Sequence, residues 1–323
     1  MEYRTLTGTG IKVSRLCLGA MTFGEQVREA DAITMVHRAL DAGVNFFDTA
    51  DVYNQGASES ILGKALKGRR DEIVLASKVR NFAGGDERKD AGLHRWHLVH
   101  AVERSLKRLG TECLDIYYLH TPDWETPLEE SLRAADQLVR QGKVMYIGMS
   151  NYAAWQVCQA LWICDRRNLQ SPTVMQPVYN LITRGIEQEL LPCCREFHLG
   201  VVVYNPLAAG LLAGKHRWDK APEKGTRFQL NDSYYGRYWH ESNFRALEKL
   251  VAAAERAGMT PVELALRWLA NQPQVDSIII GATKMEQLEQ NLQGWCGELD
   301  DETLDVCDAV WRDIRGVAFQ YNR

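Results

Sequence analysis

The chain has 323 residues, 46% of them hydrophobic and 25% charged, with a net charge of −4. That is enough material for a sizeable core, and the charge offers no electrostatic footprint for nucleic acid or an anionic membrane. The start MEYRTLTGTG lacks a signal-peptide profile, no apolar run of about 18 residues could span a membrane, and eight dispersed cysteines without a CxxC pair match neither a disulfide scaffold nor zinc spacing. Reduced, buried thiols in a cytoplasmic protein are the expectation.

In chain order, residues 3–6 and 11–13 flank the turn-rich TGTG and predict a β-hairpin. A short strand, RLCLG, follows at 15–19, then a helix over about 30–42 stopped by Gly43. The apolar run Val44–Asn45–Phe46–Phe47 reads as a buried strand ending at Asp48, with Tyr53 on the turn beyond it. A helix over 59–66 leads to EIVLAS at 72–77, a strand that runs into Lys78. A helix over 96–109 precedes LDIYYL at 114–119, which delivers His120, and a helix over 128–140 precedes a strand at 144–149 that delivers Ser150 and Asn151. After a helix near 153–167 comes a strand at 173–175 ending in Gln176, a helix over 186–197, and the apolar strand GVVVY at 200–204. A polar, aromatic insertion fills 215–240, helices lie near 242–257 and 261–271, a last strand at 276–280 ends in Gly281, and a final helix covers about 300–313.

Eight continuously apolar strands alternate with helices. Strands of this kind are buried on both faces and belong to parallel sheets covered by helices. Eight such units in one chain, with no linker or composition shift, predict a single domain over 1–323 built as a closed (β/α)8 barrel, carrying an N-terminal hairpin, a long loop after the seventh strand and a C-terminal helix. An open doubly wound sheet is disfavoured because no G-x-G-x-x-G follows the first strand.

In a barrel the C-terminal strand ends converge, so Asp48, Tyr53, Lys78 and His120 should meet. A free phenol titrates near ~10, too high to donate a proton well at neutral pH. An adjacent ammonium favours the phenolate, an acid holds that ammonium charged, and an imidazole can orient a substrate oxygen. Each residue alone also fits a packing or ion-pair role; the set of four at successive strand ends favours chemistry.

The stretches NFFDTADVY (45–53), Ser77–Lys78, LDIYYLH (114–120), GKVMYIGMSN (142–151), YNPLAAGLLAGK (204–215) and IIIGATKMEQLEQN (278–291) resemble the aldo-keto reductase superfamily over essentially the whole chain. The resemblance implies a metal-free barrel that moves hydride between a nicotinamide cofactor and a small-molecule carbonyl. It implies Tyr53 as general acid, Lys78 and Asp48 as its tuning pair and His120 as the orienting group. It also implies a nicotinamide site at Ser150, Asn151, Gln176 and Tyr204, with Gly19 among the cofactor positions, and a pyrophosphate loop at Asn205, Leu207, Gly210, Leu212 and Lys215. The adenosine end falls on Gly281, Thr283, Lys284, Gln287 and Asn291. Many members place arginine where Gln287 stands; Lys284 and Lys215 offer alternative charge, so NADPH is favoured with NADH possible.

Trp124, Tyr235 and Trp239, with Trp218, Tyr234 and Tyr238, fall in loops after the fourth and seventh strands and suggest an aromatic rim for a hydrophobic carbonyl. The arginine–tyrosine–tryptophan run at 237–239 resembles the aflatoxin-aldehyde reductase branch, and the terminal Tyr321–Asn322–Arg323 resembles bacterial branches whose tails approach the pocket. His94, His97 and His100 lie three apart on one helix and suit packing or solvation better than metal ligation. Two further readings stay open: a cofactor-holding regulatory subunit such as the potassium-channel β subunits, and a sugar or polyol dehydrogenase running in the oxidative direction.

Overall fold

A computed structural model describes residues 1–316, so the C-terminal Tyr-Asn-Arg run lies outside the described residues. They fall into two compact units: Met1–Pro177, Ile186–Tyr204 and Gln274–Leu288 in one, and Val178–Gly185, Asn205–Pro273 and the residues from Glu289 onward in the other.

The first unit opens on the antiparallel hairpin β1 (Tyr3–Thr5) and β2 (Lys12–Ser14). Eight strands follow: β3 (Leu16–Gly19), β4 (Phe46–Asp48), β5 (Val74–Val79), β6 (Leu114–Leu119), β7 (Val144–Ser150), β8 (Val174–Gln176), β9 (Gly200–Val203) and β10 (Ser277–Ile280). They pair in parallel in chain order, and β10 returns to β3 to close the barrel. The intervening helices are α1 (Glu29–Asp41), α2 (Ala57–Ala65), α3 (Arg95–Leu109), α4 (Leu128–Arg140), α5 (Ala154–Arg167) and α6 (Leu190–Glu196). The apolar character of the strands is explained by their surroundings. Phe46, Ile116, Val174 and Val202 fill the interior, and Leu6 and Val13 bring the hairpin onto the same core. Gly148 is required where the Tyr118 ring crosses the interior, because a Cβ there would lie 2.2 Å from Tyr118 Cδ1.

The second unit is helical, with α7 (Arg227–Leu230), α8 (Asp232–Tyr238), α9 (Glu241–Arg256), α10 (Pro261–Ala270) and α12 (Asp301–Arg315); the chain of α11 (Met285–Gly294) runs from the first unit into the second. Thr260 and Glu263 form a reciprocal capping box at the start of α10, with Pro261 at its first position.

Three expectations are corrected. The helix predicted over 186–197 is only Leu190–Glu196, preceded by a short 3-10 turn at Gly185–Glu187. Pro192 explains it: its ring and missing N–H are tolerated in a first turn but not in a helix interior. The insertion at 215–240 is not simply a loop, since it holds α7 and α8, with the Asn231 side chain accepting from Ser233 N (3.0 Å) and Tyr234 N (3.3 Å). The thiols are free, but not uniformly buried, because Cys158 and Cys296 are exposed. Among the described residues no helix is long and apolar enough to cross a membrane.

Candidate active site

Asp48 ends β4, and the chain continues alongside β5 in the same parallel sense through hydrogen bonds from Thr49 N to Ala76 O (3.0 Å) and Asp51 N to Lys78 O (3.2 Å). The turn at Tyr53–Gly56 places Asn54 and Gln55 in the left-handed region, at φ 51° and 55°. The Asn54 amide pins this turn by donating to Phe23 O (2.6 Å) and Met21 O (3.1 Å). Tyr53 is thereby fixed beside the strand ends instead of riding on a free loop. Lys78 lies within β5, since that strand runs on to Val79.

The structure brings the four predicted residues together. Lys78, 1% exposed, donates to Asp48 Oδ1 and to Thr49 O (2.8 Å). Its Nζ lies 5.1 Å from the Tyr53 ring centroid, and the Tyr53 ring meets His120 edge to face at 5.8 Å. The second Asp48 oxygen accepts from Gln176 Nε2 at 2.9 Å. Burial alone would push the Lys78 ammonium down, but the Asp48 carboxylate and the Tyr53 oxygen outweigh it and hold the pKa above the ordinary lysine value. His120 moves the other way, to about 3, through burial and the positive charges of Lys78 and Arg80. It is therefore a neutral imidazole at physiological pH.

Residues assigned to the nicotinamide end form one hydrogen-bonded run beside this cluster. Ser150 Oγ donates to Gln176 O (2.9 Å), and Asn151, left-handed at φ 64°, donates through its amide to His120 O (2.9 Å) and Ser150 Oγ (3.0 Å). Tyr204 donates its hydroxyl to Asn151 Oδ1 at 2.6 Å. An exposed primary amide, a hydroxyl and a half-buried phenol ring at the strand ends match a planar heterocycle carrying a carboxamide, so this chain's donor set fits a nicotinamide. Gly19 pairs with Asp48 across β3 and β4, and a Cβ on it would meet Ile279 Cγ2 at 2.7 Å, so its smallness serves strand packing here.

Among the residues assigned to the adenosine end, Gln287 Oε1 accepts from Thr283 N (2.9 Å) and Thr283 Oγ1 (3.0 Å), closing the turn that leads into α11. Its carbonyl is spent on that turn, while Gly281 and Lys284 are exposed. Lys284 is an exposed cation just before α11.

The residues assigned to the pyrophosphate loop belong to the second unit. Asn205, buried and left-handed at φ 61°, accepts from Ala209 N (2.6 Å) and donates to Tyr238 Oη (2.8 Å). Ala208, Ala209 and Gly210 are also left-handed, and Leu212 is buried. Leu207 is half-buried, Lys215 exposed and Asn291 buried. The Asn205 side chain therefore shapes its own turn.

The aromatic candidates separate. Trp124 is 74% exposed and lies 6.5 Å from Trp155. Trp239 is enclosed by Phe228, His216 and Phe244, with Tyr235 stacked on it at 5.6 Å and 14°. It packs the insertion, and Tyr235 carries the exposed face. His94 caps α3 by accepting from His97 N (3.2 Å), and the buried His97 ring reaches Gly92 O (2.8 Å). Two features escaped the sequence reading. Asn81 Nδ2 approaches His120 Nδ1 at 3.4 Å, just after β5. Glu59, fully buried, accepts from Ser77 Oγ (2.5 Å), the neighbour of Lys78 in β5, and from Arg108 Nε (2.7 Å), near the likewise buried Asp51. A charged residue within the helical run 59–66 was the available signal.

The sequence profile of the aldo/keto reductase family matches residues 15–312. The chain belongs to this family of NAD(P)H-dependent oxidoreductases acting on carbonyls. Its relatives include human aldo-keto reductase family 7 member A3, 37% identical over 91% of this chain and 92% of that one. Mouse aflatoxin B1 aldehyde reductase member 2 is 36% identical over 92% and 84%. A probable voltage-gated potassium channel subunit beta from Oryza sativa subsp. japonica is 37% identical over 96% of each chain.

Proposed function

We propose that this protein reduces an aldehyde or ketone to the alcohol with NADPH, using Tyr53 as the proton donor. The observation that carries the reading is the buried Lys78–Asp48 pair set against the Tyr53 ring with neutral His120 alongside. When bound, the nicotinamide supplies the hydride received by the carbonyl carbon. Tyr53 gives its hydroxyl proton to the carbonyl oxygen as negative charge gathers there. The Lys78 ammonium, locked by Asp48 and the Thr49 carbonyl, stabilises the phenolate left behind. With Asn81 donating to Nδ1, His120 carries its proton on Nε2 and can hydrogen-bond the same oxygen without competing as an acid. Ser150, Asn151, Gln176 and Tyr204 would hold the nicotinamide, and Thr283 and Lys284 the adenosine phosphate; for residues 205–215 and Asn291 the assignment rests on the family pattern alone. A small-molecule carbonyl is the proposed substrate, and exposed Trp124, which follows β6 in the same unit as Tyr53, favours one with apolar bulk.

The test is a panel of aromatic aldehydes, sugars, dicarbonyls and steroid ketones followed by loss of NADPH absorbance, with dissociation constants for NADPH and NADH measured in parallel. Tighter NADPH and turnover of at least one class are expected; tighter NADH would overturn the cofactor assignment. The rice relative favours a second reading, a cofactor-holding regulatory subunit, distinguished by tightly retained cofactor with little or no turnover. Oxidation of a sugar or polyol would use the same residues in reverse, with the Tyr53 phenolate accepting the proton.

A further inference from the structure

Two of the eight cysteines meet on the outside of the first unit. Cys158 is on α5 and Cys193 on α6, and their Sγ atoms are 3.7 Å apart although the residues are 35 positions apart in sequence. Cys158 is exposed and Cys193 half-buried. A disulfide needs its sulfurs at about 2.05 Å, so the present 3.7 Å contact must close by roughly 1.7 Å for the bond to form. The neighbouring Cys194 and Cys164 are both buried, and Cys164 Sγ is directed at Gln170 O (3.6 Å). The geometry points to a redox modification site, in which Cys158 and Cys193 form a reversible intramolecular disulfide by exchange with a small-molecule disulfide.

Exposure sets the order of events. Burial and the adjoining Cys158 sulfur push the Cys193 thiol up to about 12, so it is a poor first nucleophile. Cys158 meets the oxidant first: its thiolate attacks one sulfur of glutathione disulfide, a protein–glutathione disulfide forms and one glutathione thiolate leaves. Cys193 then gives its proton to solvent and attacks the Cys158 sulfur, expelling the second glutathione. Two protein thiols lose two electrons and two protons, and the oxidant becomes two glutathione molecules. The closed loop contains β8, the strand that carries Gln176 against Asp48, so oxidation ties together the helices on either side of that strand without adding charge to the site. Closing a loop of this length restricts the unfolded chain and stabilises the folded one.

The full-length reduced protein is incubated with glutathione disulfide, then examined by intact mass, thiol titration and peptide mapping. We expect a mass lower by two hydrogens, two fewer titratable thiols, a Cys158–Cys193 linked peptide, and a higher urea midpoint, all reversed by dithiothreitol. Cys158→Ser should lose the response, Cys193→Ser should stop at one attached glutathione, and Cys296→Ser, which removes the other exposed thiol, should behave as the parent does. Glutathione left attached to the parent chain without loss of the second thiol would overturn the inference. So would disulfide-linked chains, or an unchanged loss of two thiols in Cys158→Ser.

Discussion

Asp51→Asn isolates an unusual ionisation beside the candidate site. Asp51 is 2% exposed, and its Oδ1 has no hydrogen-bond partner among the described residues. Burial and the nearby Glu59 carboxylate raise its pKa to about 8, against the opposing pull of Arg108, the Val52 N–H and Arg104. Tyr117, whose hydroxyl is also enclosed and without a partner among the described residues, adds no positive charge to the group. The sign follows from proton counting. The native state holds a proton up to about pH 8, whereas the unfolded chain releases it near ~3.9. The associated stability is therefore fully present below the unfolded value and is lost as pH rises toward the folded one, at ~1.4 kcal/mol per pH unit. Asparagine keeps the neutral shape and removes the titration. The stability advantage of Asp51→Asn over the parent should widen by up to ~4 kcal/mol between about pH 5 and about pH 8. Urea unfolding across that range reads the difference directly. Parallel stability curves for the two proteins would refute the buried neutral carboxyl.

Asp48→Asn removes the charge that keeps Lys78 protonated, so kcat should fall ~100-fold and stability by ~3 kcal/mol, because an ammonium is left buried without its partner; steady-state kinetics with denaturation at neutral pH checks both, and a parent-like kcat would contradict the pairing. His120, held near a pKa of about 3, binds its proton less readily folded than unfolded, so it contributes stability above the unfolded value that disappears as pH falls from ~6.5. His120→Gln should recover on the order of 2 kcal/mol of acid stability at about pH 5, seen as a flatter unfolding curve below neutrality. Gly148→Ala drives a methyl into the Tyr118 ring and should cost about 3 kcal/mol, read from the urea midpoint.

The barrel was legible because strands buried on both faces leave unbroken apolar runs such as LDIYYL and GVVV, and because each run ended in a residue of chemical character. Local rules were enough to place Asp48, Lys78 and His120 at converging ends. Where burial depends on distant partners, the sequence was silent. Trp239 sits among exposed-looking polar residues, yet Phe228 and Phe244 enclose it. Asp51 lies two residues before Tyr53, but its raised pKa comes from burial and from Glu59, one helix further on, against the pull of Arg108 on the helix after that. The helical turns of the insertion carry no clear 3.6-residue period, and Asn231, which starts α8, resembles any loop asparagine until its side chain is seen capping. Cys158 and Cys193 show no CxxC spacing because their contact is made across two helices.

The central claim is that Tyr53 donates the proton while Lys78, Asp48 and His120 prepare it. Single-turnover reduction of an accepted aldehyde by Tyr53→Phe, with NADPH affinity measured by fluorescence titration on the same sample, tests it most directly. The account predicts a fall in the chemical step of ~1,000-fold or more with the NADPH dissociation constant unchanged. Parent-like turnover in that variant would contradict it.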